Sequence, residues 1–152
     1  MNEPENELIF DAARKNDENG TIVDFDRHYM GIKVLNKVLR VHFNNKGQIE
    51  GFHGHFGLES DISSLPLTPL ITSDKAVGIA RKNSNLIYGS ITAELIIYAK
   101  DIYLNGNANN KSEQYLLAWQ IVIDSKKSSS HFAYVIDAKD GSIILKDDGI
   151  RY

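Results

Sequence analysis

Between Tyr115 and Leu145 the chain reads YLLAWQIVID, a polar linker, then HFAYVIDAKDGSIIL, and this stretch leaves little choice of structure. Tyr115, Leu117, Trp119, Ile121 and Ile123 put a large apolar residue at every second position, the spacing of a strand with one buried face. The only Trp of the chain stands mid-strand, where its ring would anchor a core. Beyond SKKSSS, Phe132, Tyr134 and Ile136 alternate again. Asp140-Gly141 then supplies the turn chemistry for a reversal into Ser142–Leu145. The stretch reads as two strands and the start of a third, with nothing catalytic in it.

The rest of the chain supplies elements of the same kind. Glu7–Asn16 places Leu8, Ile9, Ala12 and Ala13 on one helical face, with Arg14 and Lys15 suited to a helix C-terminus and Gly20 as its exit. From Thr21 the period changes: Val23, Phe25 and Tyr29 alternate with Asp24, Asp26 and His28 in a half-buried strand ending at Gly31. Leu39, Val41 and Phe43 alternate, NNKG turns the chain with Gly47 at positive φ, and QIEGFHGHF returns as the partner strand. Gly57–Ile71 breaks both periods and holds Pro66 and Pro69, a connection and the expected domain boundary. Thr72-Ser73-Asp74 opens a helix, with a hydroxyl N-cap, an acidic first turn and an apolar stripe of Ala76, Val77, Ile79 and Ala80. Ile91–Tyr98 is a strand, and Asn105–Asn110 a Gly- and Asn-rich turn. The order is helix, strands, connection, helix, strands. It predicts an α+β fold of two small modules, residues 1–60 and 73–152 joined by 61–72, each an antiparallel sheet with one helix packed on one face.

Composition excludes several classes. A net charge of −3, with no Lys/Arg cluster longer than two, argues against a nucleic-acid partner. No apolar run is long enough to cross a bilayer, so no membrane partner is expected. Zero cysteines remove disulfides and thiolate metal sites. The acidic start MNEPENELIF lacks the basic-then-apolar order of a signal peptide. Either the chain is intracellular, or a signal segment has been removed and Met1 added.

Four groups could carry chemistry. His53 and His55, two apart on a strand, face one side and could hold zinc with His42 as third ligand, but no acidic or Cys ligand lies nearby, and an exposed pair on a sheet face is expected instead. Asp137, Asp140, Asp147 and Asp148 lack the alternating ligands and closing Glu of a calcium loop and read as turn formers. Glu94 reads as a solvent-facing strand residue rather than a buried base. Ser128–Ser130 beside His131 lacks the third group that positions a nucleophile and its base. There is no HExxH, no GxSxG and no phosphate-binding Gly loop. The chain is therefore expected not to be an enzyme, with no catalytic residue, cofactor or metal.

The wording says more than the chemistry. FDRHYMGIKVLNKVLRVHFNNKGQIEGFHGHF resembles the fungalysin/thermolysin propeptide (FTP) domain, with Tyr29, Gly31, Val34, Val41, His42, Gly47 and Gly54 where that pattern wants them. Arg27, Lys33, His53 and His55 depart from it, standing where Gln, Pro and Asn are common. The remainder is similar to a PepSY domain: ITSDKAVGIARKN as its helix, AELIIY as a strand, then LLAWQIVID and YVIDAKDGSIIL. Together, over about Thr21 to Leu145, they resemble the N-terminal prosegment of thermolysin-like zinc metallopeptidases.

That resemblance implies cystatin-like and PepSY-like modules and a non-catalytic intramolecular chaperone and inhibitor. The partner would be a thermolysin-like metallopeptidase catalytic domain, in cis or in trans, and the parent protein would be secreted or held in the cell envelope. A signal peptide and a catalytic domain would flank such a prosegment, and this chain contains neither. In the family the cleavage junction comes after the second module, so Gly149, Ile150, Arg151 and Tyr152 would lead toward the peptidase. A free-standing protease inhibitor or cell-envelope interaction protein of the same modules is the second reading. A small metal-dependent enzyme using His42, His53 and His55 is the third.

Overall fold

Asn6 begins a strand, not a helix. A computed structural model describes residues 6–54, 62–84, 88–103, 111–126 and 131–147. They contain eight strands: β1 (Asn6–Lys15), β2 (Thr21–Tyr29), β3 (Ile32–Phe43), β4 (Ile49–Gly54), β5 (Tyr88–Tyr103), β6 (Lys111–Ser125), β7 (His131–Asp137) and β8 (Ile143–Asp147). The one helix with both ends among them is α1 (Ser73–Asn83). The chain divides into two compact units, Met1–Ser63 with Asp101–Glu113, and Ser64–Lys100 with Gln114–Tyr152.

In the first unit β1, β2, β3 and β4 pair antiparallel in chain order. No helix lies between Asn6 and Gly54, so the expected α+β architecture of two modules, each with its own helix, is wrong. The protein is mostly sheet, with little helix. The cause lies at Asp11. A β-bulge there sets Phe10 opposite Phe25 but Ala13 opposite Val23, so apolar residues on one sheet face are three apart in β1. The residues that suggested a helical stripe are split between the two faces, Leu8 and Ala13 on one and Ile9 and Ala12 on the other. The Phe10 and Phe25 rings meet edge to face at 6.4 Å, a contact that an isolated helix could not make.

The turns owe their shape to side-chain chemistry. Asn16 Oδ1 accepts from the Glu18 and Gly20 amides at 3.1 and 2.7 Å, and Asn19 takes φ 60°. Asn44 repeats the device, accepting from Lys46 and Gln48 at 2.9 Å each, with Gly47 at φ 77°. Gly20 is needed for space: a Cβ there would lie 2.3 Å from the Phe43 carbonyl oxygen. Between β2 and β3 the two-residue turn Met30-Gly31 has φ 49° and 79°, the twist a tight hairpin favours.

The second unit holds the expected sheet. Trp119, Ile121 and Ile123 of β6 lie opposite Ile136, Tyr134 and Phe132 of β7. Against this face pack Ala76 and Ala80 of α1 and Ile71 just before it. Thr72 caps the helix, its hydroxyl accepting from the Lys75 amide at 3.2 Å. Trp119 Nε1 donates to the Ile71 carbonyl at 3.1 Å, and the Tyr134 hydroxyl to that of Asn83 at 3.0 Å, tying both ends of α1 to the sheet. The segment before α1 is bonded rather than slack: the Leu70 and Ile71 amides both donate to the Ala138 carbonyl. Asp137 and Asp140 serve the β7–β8 turn, accepting from the Lys139 and Ser142 amides at 2.7 and 2.8 Å.

Candidate functional site

The first unit's sheet has two unlike faces. One carries Phe10 of β1, Val23 and Phe25 of β2, Leu39, Val41 and Phe43 of β3, and Ile49 and Phe52 of β4, in register across four strands. None of these side chains is buried. Phe10, Ile49 and Phe52 are 61%, 64% and 74% exposed. An apolar face this open marks a surface built to be covered. It is the first candidate site.

The opposite face is charged. Asp24 of β2 stands directly across from Arg40 of β3, whose Nε and Nη2 donate to its two oxygens at 2.7 and 3.0 Å. Arg14 of β1 donates from Nη1 to Oδ2 at 2.6 Å. Hydrogen bonds from Arg40, then from Arg14, hold the Asp24 carboxyl down at about 2 against the upward push of burial. Asp26, two residues on, pairs with Lys33 at 2.7 Å. In this half-buried strand the carboxylates take the inner side: Asp24 and Asp26 are buried, and Val23 and Phe25 are half-buried. His42 and His53 lie on the charged face beside Arg40, ring centroids 5.2 Å apart.

The second unit offers a cleft of about 280 Å³, walled by Leu65, Pro66, Leu70, Leu116, Leu117 and Ala138. Thr68, Asp137 and Lys139 complete a lining that is otherwise apolar.

Of the residues singled out in the sequence, Glu94 is exposed on β5 and Asp137 and Asp140 hold a turn. His131 stands opposite Asp124. His55, Asp148, Ser128–Ser130 and the tail Gly149–Tyr152 lie outside the described residues. Among the described residues no group of three or more His, Cys, Asp or Glu can hold a metal. No helix among them is long and apolar enough to cross a membrane.

Comparison with known proteins bears first on the unit that carries the open apolar face. Residues 14–56, a range that takes in β2, β3 and β4 but only the last two residues of β1, match the family described as the Fungalysin/Thermolysin Propeptide Motif, which is a propeptide motif and not a catalytic one. No curated protein matches the chain. Among solved structures, the YpeB C-terminal domain of Bacillus megaterium is similar in fold, with TM-score 0.51 and 16% identity over 95% of this chain. The match takes in 57% of that domain, so the chain spans little more than half of it. A protein described as a lipoprotein, from Clostridium difficile 630, aligns over 94% of this chain and 82% of its own length at 15% identity, but its TM-score of 0.36 carries no argument.

Proposed function

We propose that the chain is the prosegment of a secreted thermolysin-like zinc metallopeptidase, an FTP module followed by a PepSY module, acting as inhibitor and folding chaperone of the catalytic domain. The observation that carries this is the propeptide motif at residues 14–56, which takes in Ile49, Phe52 and most of the open apolar face. A template that binds the native peptidase and not its unfolded chain stabilises it by mass action, and the same contact can close the substrate cleft. The PepSY reading of the second module is supported by the wording of its helix and strands.

In this reading Phe10, Ile49 and Phe52 are the contact residues. Burying one such side chain contributes about 1.5–3 kcal/mol, roughly 10- to 150-fold in affinity. The test is peptide hydrolysis by the thermolysin-type peptidases of the source genome, with and without the added chain. Inhibition at micromolar concentrations that weakens at least tenfold in Phe52→Ser supports the proposal. Undisturbed hydrolysis by every such enzyme removes the inhibitor role. The reading frame past Tyr152 tests the cis form, which needs an HExxH motif downstream.

A further inference from the structure

From the charged face of the first unit we infer that His42 and His53 form a two-imidazole site for a divalent transition-metal ion. The two residues are diagonal neighbours on one face, since His42 is opposite Gly51 and His53 opposite Arg40. Their ring centroids are 5.2 Å apart with the planes tilted by 31°.

Coordination geometry makes that separation informative. A zinc–nitrogen bond of about 2.0–2.1 Å, extended by a ring radius of about 1.1 Å, puts the ion roughly 3.2 Å from each centroid. At the tetrahedral angle two such ligands place their centroids about 5.2 Å apart, the separation found here. Neither imidazole is hydrogen-bonded to another described residue, so a ring nitrogen on each is available.

Charge and space also allow an ion. Arg40 is the cation beside His53, and its guanidinium is held by two hydrogen bonds to Asp24 and turned to that carboxylate. An open hollow of about 470 Å³, lined by Asn36, Val38, Arg40, His53 and Gly54, gives the His53 side of the pair access to water. Imidazole ligands suit zinc, copper and nickel rather than calcium or magnesium. A bound ion would staple β3 to β4, fixing the strand that carries Phe52 on its other face.

The test is calorimetric titration of zinc chloride into the full chain, with histidine resonances followed by NMR. One saturable equivalent that shifts the His42 and His53 rings is expected. Affinity should fall at least tenfold in His42→Asn and in His53→Asn, and stay unchanged in His28→Asn and His131→Asn. Near-UV circular dichroism checks that each variant is folded, and His53, exposed at the sheet surface, tolerates replacement. No saturable binding, or wild-type affinity in the double variant, overturns the site. So does binding that survives His42→Asn and disappears only in His55→Asn.

Discussion

Replacing Asp24 by Asn removes the charge that ties three strands together, because Arg14 reaches it from β1 and Arg40 from β3. The magnitude can be worked from its titration. A carboxyl lowered from 3.8 to about 2 corresponds to about 2.5 kcal/mol of preference for the ionised folded state. The arginine side chains are 45% and 37% exposed, so solvent screens part of this and about 1–2 kcal/mol is expected. The sign is that of a depressed acid. The contribution is complete above the unfolded value near 3.8 and is lost as pH falls through the folded value near 2. Urea denaturation at pH 7 should show Asp24→Asn less stable by about 1–2 kcal/mol. Between about pH 4.5 and 2 the wild type should lose that margin while the variant, which has no such carboxyl, declines less steeply. Equal stability at pH 7, or parallel acid limbs, would refute the reasoning.

Three further substitutions test the packing. Gly20→Ala drives a Cβ into the Phe43 carbonyl and should cost more than about 2 kcal/mol; a melting temperature close to wild type would contradict this. Met30→Asn eases a left-handed residue at an exposed turn and should stabilise by about 0.5–1 kcal/mol in the same melts. Tyr134→Phe deletes the hydroxyl that bonds the Asn83 carbonyl, costing about 1 kcal/mol and raising hydrogen exchange at the end of α1 before the rest of the sheet.

The second unit was legible in the sequence because its signals are local and agree. Alternation from Tyr115 to Ile123 marks one buried face of β6, the Thr72 cap starts α1, and Asp140-Gly141 makes the turn. The first unit was legible in β2, whose alternation marks a strand from Thr21, and in its β3–β4 hairpin, where Asn44 and Gly47 fix the turn. β1 does not follow its helix-like spacing because Leu8, Ile9, Ala12 and Ala13 come from both faces of a strand whose alternation is broken by the bulge at Asp11.

The candidate sites depend on register, which bulges decide. Asp24 meets Arg40 only because β3 accommodates extra residues near Asn36, itself at φ 63°. No pattern in the sequence announces that shift. The histidines were visible as types and as a strand pair, and His42 was placed on the neighbouring strand. That His42 and His53 end as near neighbours is set by the NNKG turn and the irregularity between His42 and Phe43.

Hydrogen exchange on the first unit, with and without the catalytic domain of a thermolysin-like peptidase from the same genome, tests the account most directly. Binding through the apolar face predicts slowed exchange in β1 and β4 around Phe10 and Phe52, and loss of that protection in Phe52→Ser. A complex that leaves those strands unprotected, or no complex with any such peptidase, would contradict it.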